Sequence, residues 1–371
     1  MTIANVERDE RDLIVTWTDD SDCRFPYIWL RDNCSDELHP DTHERTFDLT
    51  TVDVDIVPGE IEHTAETVSI CWPGKAEASH YASQWLRSHQ PGTKRSDASA
   101  TSLDYWDAKT LPYPARFSAN DCSTDPVKLC EALVELKRTG IIVVCDLPDD
   151  PAAGEKFGDL IGFKRETNFG VMFEVISKPD PNNLAYTSVA LPLHTDVPNQ
   201  EMIPGYQFLH AYRNSATGGE SVFADGFRII ADLREEEPSD FELLARVAIP
   251  FRFHDEVADI RQHRHIITLR PDGEFAQFVF NAHIADVPDM STDVLHEFYA
   301  AYQRLMIRIR KPRYAMNFAL QQGEMVVFDN GRVLHGRNAF DPLSGERHLR
   351  GYYIEKNEVD SCIRVAARNR S

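Results

Sequence analysis

The segment Leu191-Pro192-Leu193-His194-Thr195-Asp196-Val197-Pro198 constrains the fold more than any other stretch of the chain. Flanked by prolines, it reads as a strand or a strand end. In extended backbone, residues i and i+2 project to the same face. His194 and Asp196 therefore aim an imidazole and a carboxylate at one point, where a metal ion is the natural occupant. Two ligands do not complete a site, so the fold has to bring another from far along the chain. The pattern is not specific by itself, since His39-Pro40-Asp41 repeats it.

A remote partner is present. In Phe328-Asp329-Asn330-Gly331-Arg332-Val333-Leu334-His335-Gly336-Arg337, an apolar strand runs into a turn, then into an apolar pair and His335. Gly336 would let backbone approach the metal closely. Arg347 follows His335 by twelve positions; if one strand leaves the ligand and another returns, its guanidinium can reach back and clamp a carboxylate in a bidentate pair. Alone, His335 reads as a satisfied core histidine and Arg347 as a surface ion pair with Glu346. Together with His194 and Asp196 they form a two-His, one-carboxylate face that leaves half the coordination sphere open, as non-haem Fe(II) oxygenases require. A zinc hydrolase would also use His/Asp/His, but it gives no reason for Arg347.

The chain has 371 residues, enough for two domains or one large domain with an appendage, and 42% of them are hydrophobic, enough for a sizeable core. A formal charge of −21 argues against nucleic-acid binding, which needs clustered Lys and Arg. No stretch approaches the ~18 apolar residues of a membrane span, and the start shows no basic region followed by an apolar run, so no signal peptide is expected. Seven isolated cysteines do not read as a disulfide framework. The cytoplasm is the expected location.

Three parts are expected: a small β-rich N-terminal domain over 1–92, a linker over 93–125 rich in Pro, Gly and Ser, and a catalytic domain over 126–371. In the first, Leu13–Trp17, Val52–Val57 and Thr67–Trp72 read as strands, Ile28–Leu30 as an apolar run ending in a turn, and Ser79–His89 as a helix. Cys34, His39, His43 and His80 could gather a structural zinc ion. Further on, Asp125-Pro126 opens a helix that stops at Gly140. Ile141–Cys145 is a buried strand, Ala153–Ile161 a second helix, and Val294–Arg308 a later one. Short strands over Gly205–Tyr212, Gly219–Phe223, Phe275–Phe280, Glu324–Phe328 and Arg350–Ile354 suggest a double-sheet jelly roll with outer helices. The fold class is thus mainly β with flanking helices: a double-stranded β-helix (jelly roll) catalytic domain plus the small β-rich domain.

The motifs Leu30-Arg31-Asp32-Asn33-Cys34, Asn182-Asn183-Leu184-Ala185-Tyr186-Thr187, His194-Thr195-Asp196, Thr217-Gly218-Gly219-Glu220-Ser221 and Leu334-His335-Gly336-Arg337 span nearly the whole chain. In these the sequence resembles the γ-butyrobetaine dioxygenase branch of the Fe(II)/2-oxoglutarate-dependent, taurine-dioxygenase-like oxygenases. The resemblance implies that His194, Asp196 and His335 bind Fe(II), that Arg347 pairs with the far carboxylate of 2-oxoglutarate, and that Ser221 helps hold that carboxylate. It implies consumption of O2, decarboxylation of 2-oxoglutarate to succinate and CO2, and hydroxylation of a C–H bond.

Members of this branch hold a trimethylammonium group in an aromatic cage. The matching positions are Phe169, Phe173, Tyr186 and Tyr353; without the resemblance they would pass for core aromatics. The substrate anion should meet Asn183. Relatives often supply another Asn near the position of Asn281-Ala282; here the slot reads as Ala282, with His283 beside it. That leaves a carboxylate, as in γ-butyrobetaine, or a phosphonate, as in 2-(trimethylammonio)ethylphosphonate, as the anion; trimethyllysine is a further alternative. Relatives also bind zinc in the N-terminal domain through three Cys and one His. Cys34 and His80 match, while Asp36 and His39 stand at the other positions, so zinc there is either held by altered ligands or lost. A homodimer is the expected assembly, and a non-catalytic jelly-roll module holding betaines is the rival reading from another class.

Overall fold

A capping carboxylate and a glycine delimit the first long helix. The Asp125 side chain accepts from the Val127 N–H, Pro126 stands at the first helical position, and Gly140 ends the helix at φ 80. The computed structural model describes residues 1–177 and 186–369. The chain divides into two compact units, Met1–Asp97 and Ala98–Ser371.

In the first unit β1 (Ile3–Arg8), β2 (Asp12–Trp17) and β3 (Asp22–Pro26) form one antiparallel sheet, followed by helix α1 (Tyr27–Asp32). Strands β4 (Ile61–His63), β5 (Thr67–Ile70) and β6 (Ser79–Ala82) form another, leading into α2 (Ser83–Ser88). The fully buried Trp17, Phe25, Val68 and Leu86 share its core. Three expectations change. The run at 28–30 is helical. Ser79–Ala82 is strand before the chain turns helical at Ser83. Val52–Val57 forms no strand: the Asp48 carboxylate accepts from the Thr50 N–H and Asp53 from the Asp55 N–H. Such local side-chain bonds compete with a sheet ladder.

The second unit begins within the expected linker. Trp106 is buried and its indole donates to the Thr139 carbonyl, and β7 (Ala115–Ser118) and α3 (Ala119–Thr124) already belong to the fold. Helix α4 (Pro126–Thr139), β8 (Ile141–Cys145), α5 (Ala153–Gly158), β9 (Lys164–Arg165) and β10 (Phe173–Val175) follow. Then come β11 (Leu191–His194), β12 (Tyr206–Asn214), β13 (Thr217–Gly218), β14 (Ser221–Asp225), α6 (Gly226–Glu236), α7 (Pro238–Arg246), the hairpin β15 (Ala248–His254)–β16 (Asp259–His265), β17 (Ile267–Leu269) and β18 (Phe275–Phe278). Helix α8 (Thr292–Ile309), β19 (Met316–Phe318), β20 (Glu324–Asp329), β21 (Val333–Arg337), β22 (Phe340–Asp341), β23 (Arg347–Ile354) and α9 (Lys356–Arg368) complete it.

Two sheets dominate. One has the order β10-β23-β12-β20-β8-β7 with β9 also on β23; the other runs β11-β21-β14-β19. Period-2 alternation sorts the side chains. On β20, Met325 and Val327 pack among residues of α4, α5 and α9, whereas Val326 and Phe328 pack with Phe223, Met316 and Val333 of the smaller sheet. The helices α6, α7 and α8 form a separate core with β17 and β18. The molecule is thus mostly β with flanking helices. Among the described residues no helix is long and apolar enough to cross a membrane, and all seven cysteines are free.

Candidate active site

Strand β11 ends at His194, and its antiparallel register on β21 sets His194 opposite His335. The ring centroids lie 4.2 Å apart. Asp196, two positions on, turns its Oδ1 to 3.2 Å from His194 Nε2 and 3.6 Å from His335 Nε2. Among the described residues these three form the one His/Cys/Asp/Glu group able to share an ion, with ligand atoms within 4.8 Å of one another. Thr195 points the other way and pins the motif, its backbone N–H donating to the Phe280 carbonyl and its Oγ1 accepting from the Phe280 N–H.

The electrostatics suit a cation. Burial works against charge on Asp196, but His335, His194 and the Tyr353 hydroxyl hold its carboxyl well below the usual range. Burial, aided by His194, pushes His335 down to about 3 against the pull of Asp196, leaving a neutral imidazole. His194 Nδ1–H meets the Pro192 carbonyl at 2.9 Å, which frees Nε2 as the lone-pair donor. Tyr353 donates to Asp196 Oδ2 at 2.8 Å, leaving Oδ1 for an ion. The donor set therefore fits Fe(II).

Arg347 opens β23 and is 8% exposed, and its Nε has no hydrogen-bond partner. Burial and the neighbouring Arg337 lower it to about 10, so it remains a cation at neutral pH. A buried guanidinium without an anion is costly, and a carboxylate entering the cavity would relieve it. Ser221 lines the same cavity opposite Arg337 in the β14–β21 register. This corner fits the distal carboxylate of 2-oxoglutarate.

His194, Asp196, His335, Arg347, Ser221, Phe169, Phe173, Tyr186, Tyr353 and His283 all border one cavity of about 330 Å³. Phe173 and Tyr353 pack at 5.2 Å. A Cβ on Gly351 would lie 2.4 Å from the Phe173 ring, so glycine is what lets that ring lie against β23. His283 stacks 5.7 Å from His194; burial and that neighbour lower its basicity. Asn183 lies outside the described residues.

Sequence reading missed four residues. Phe253 borders the cavity 5.3 Å from Phe169; its signal was the alternation in Ala248–His254. Asn199 and Gln207 border it too, and carry no motif. Asn330, fully buried, accepts from the Asp196 N–H at 2.8 Å and donates to the Asp196 carbonyl at 3.1 Å, so the Asp-Asn-Gly turn braces the metal motif. Gly336 has a further role. A Cβ there would sit 2.5 Å from the Leu191 carbonyl; glycine permits close approach of β11 to β21, and Gly336 borders the cavity.

The N-terminal zinc candidates are not brought together. Buried Cys34 has its Sγ 2.9 Å from Ser79 Oγ and 3.6 Å from the Lys75 ammonium, which also bonds Asp36 at 3.1 Å. His80 is exposed and pairs with Ser69, and exposed His39 accepts from the Asp41 and Thr42 N–H groups. His43 is likewise exposed. A cation already stands beside the thiol.

Residues 109–353 match the family described as Taurine catabolism dioxygenase TauD, TfdA family, and residues 4–87 match Gamma-butyrobetaine hydroxylase-like, N-terminal. The chain is 36% identical to gamma-butyrobetaine dioxygenase of Pseudomonas sp. (strain AK-1), covering 95% of this chain and 93% of that protein. It is 29% identical to human mitochondrial trimethyllysine dioxygenase, covering 92% and 82%. Among solved structures, an asparagine oxygenase in complex with Fe(II), 3-hydroxyasparagine and succinate shares the fold at TM-score 0.51 and 16% identity, over 64% of this chain and 82% of that one.

Proposed function

The chain belongs to the TauD, TfdA family, in its gamma-butyrobetaine hydroxylase-like branch, as a dioxygenase dependent on Fe(II), 2-oxoglutarate and O2, and from that premise we propose that it hydroxylates a small trimethylammonium zwitterion. The candidate substrates are γ-butyrobetaine and 2-(trimethylammonio)ethylphosphonate. The observation that carries this reading is the single cavity that joins the His/Asp/His face, an anion-seeking Arg347 and the rings of Phe169, Phe173, Tyr186, Tyr353 and Phe253. Cation–π attraction contributes about 0.5–2 kcal/mol per ring. We read the two large sheets as the halves of a jelly roll with the site at its mouth, in the unit that begins at Ala98.

His194, Asp196 and His335 would hold the iron, which supplies activation of O2 coupled to decarboxylation of 2-oxoglutarate. Arg347, with Ser221, would orient the cosubstrate by its distal carboxylate. Tyr353, by donating to Oδ2, keeps Oδ1 of Asp196 turned toward the two histidines, and the apolar walls keep bulk water from the reacting C–H bond. His283 faces the substrate side and, with Asn183, is assigned the anionic end. The balance is R–H, O2 and 2-oxoglutarate giving R–OH, succinate and CO2. A soluble cytoplasmic homodimer acting without nucleic acid completes the proposal.

The test is succinate release by the purified protein under Fe(II), 2-oxoglutarate and ascorbate, run in parallel on γ-butyrobetaine, its phosphonate analogue and trimethyllysine. Stoichiometric succinate and hydroxylated product with one of the two small zwitterions supports the reading. Turnover of trimethyllysine alone, or of no trimethylammonium compound, rejects it. A betaine-holding module without turnover is disfavoured by family membership and by Arg347, which mere binding does not need.

A further inference from the structure

Two buried amides in the cavity wall are used neither by the metal face nor by the cosubstrate corner. Asn199 is 1% exposed and neither Oδ1 nor Nδ2 has a hydrogen-bond partner; Gln207 is equally buried and its Oε1 has none. Both border the cavity. Buried polar groups are ordinarily paired, and an orphan calls for an explanation. Orphaned amide oxygens on two residues bordering one cavity point to a ligand that offers them hydrogen-bearing groups.

Their neighbours say which end of the ligand. Gln207 on β12 stands directly opposite Tyr353 on β23, so the two side chains share a face, and Tyr353 packs on Phe173. Asn199 lies in a turn that is held rather than relaxed. Val197 sits at φ 43, a conformation β-branched residues avoid. The Arg264 guanidinium clamps the turn, Nε donating to the Pro198 carbonyl at 2.7 Å and Nη2 to that of Glu201 at 2.6 Å. Gln200 Nε2 ties it to Asn168 Oδ1 at 3.0 Å, one residue before Phe169. Gln207 thus stands across from a ring of the cavity, and Asn199 lies in a turn tied to the residue that precedes another.

Four of the six Phe and Tyr rings bordering the cavity, Phe169, Phe173, Phe223 and Phe253, are phenyls, whose faces attract a cation less than indole does. An amide oxygen can make up the difference, because methyl groups on a quaternary nitrogen are polarised and donate weak C–H···O bonds. We propose that Asn199 and Gln207 are specificity-determining residues whose amide oxygens face the trimethylammonium group and supplement the phenyl-rich cage. This rests on the trimethylammonium reading above. It gives Arg264 the role of a positioning residue for Asn199.

The experiment compares the accepted trimethylammonium substrate with its neutral tert-butyl isostere, as a ratio of kcat/KM, in the wild type, Asn199→Leu and Gln207→Met. Each substitution is expected to lower the ratio roughly 2–5-fold, with the KM for 2-oxoglutarate unchanged. A ratio that survives both substitutions overturns the proposal, as does an equal loss on both substrates. The wild-type measurement judges the underlying reading separately: no preference for the cation there sinks both. Should the leucine variant not fold, Asn199→Asp replaces it; its ratio is expected to rise, and a fall overturns the assignment.

Discussion

His194 and His335 face each other across the β11–β21 pair, with ring centroids 4.2 Å apart and both Nε2 atoms turned to one oxygen of Asp196. The pairing fixes two ligands by strand register, so a one-residue slip would remove one of them from the face. His335→Ala is expected to weaken Fe(II) binding by more than the roughly 10–100-fold that loss of an outer-shell partner costs, and to abolish substrate-dependent succinate. Anaerobic Fe(II) titration by calorimetry checks this; wild-type-like affinity would remove His335 from the ligand set.

Tyr353→Phe separates two roles of one side chain. The ring against Phe173 remains, while the donor to Asp196 Oδ2 is lost. Iron affinity or kcat should fall about 10–100-fold with little change in substrate KM. A variant that changes KM alone would show that the hydroxyl, not only the ring, meets the substrate.

Much of this was legible in the sequence for physical reasons. Spacing in extended backbone announced His194 and Asp196, and capping chemistry delimited the helix Pro126–Thr139 to the residue. Asn199 and Gln207 were not legible, because an orphaned amide is defined by what surrounds it in space. The strand read at Val52–Val57 failed where nearby aspartates captured the backbone, and the linker reading failed because Trp106 is buried by residues distant in sequence. In the helices Gly226–Glu236 and Pro238–Arg246, which build the α6–α8 core, the apolar pairs Ile229-Ile230 and Leu243-Leu244 do not by themselves distinguish a short helix from a buried strand.

Asn330 braces the Asp196 backbone from both sides and is fully buried. Asn330→Ala would leave the Asp196 N–H and C=O without those partners, at about 1–3 kcal/mol for each group left unsatisfied. The expected result is a Tm lowered by several degrees together with weaker Fe(II) binding. Loss of stability with unchanged metal affinity would confine Asn330 to folding.

Arg347→Met makes opposite predictions for the free and loaded protein. Removing a buried guanidinium whose Nε has no partner should leave the Tm of the free protein unchanged or raised. The same change should raise the KM for 2-oxoglutarate roughly 100-fold, about the worth of a charge-assisted bidentate pair, and abolish the thermal shift that 2-oxoglutarate produces. A free protein that is destabilised while keeping its cosubstrate KM would make Arg347 a structural cation.

Acid should weaken the second unit through His210. This residue on β12 is 2% exposed and its Nδ1 has no hydrogen-bond partner. Burial, then Arg350 and His348, push it down to about 4, with Asp150 the opposing influence. The unfolded chain binds a proton at this site below its ordinary value of about 6.5, whereas the folded protein resists it until about 4. Between those values the unfolded state holds more protons, so stability falls as pH is lowered through that window. Tm measured from pH 7 to pH 4 should decline, and His210→Gln, which cannot titrate, should decline less steeply. Parallel slopes for the two proteins would assign the acid sensitivity to other groups, His335 first among them, since it too is held neutral down to about 3.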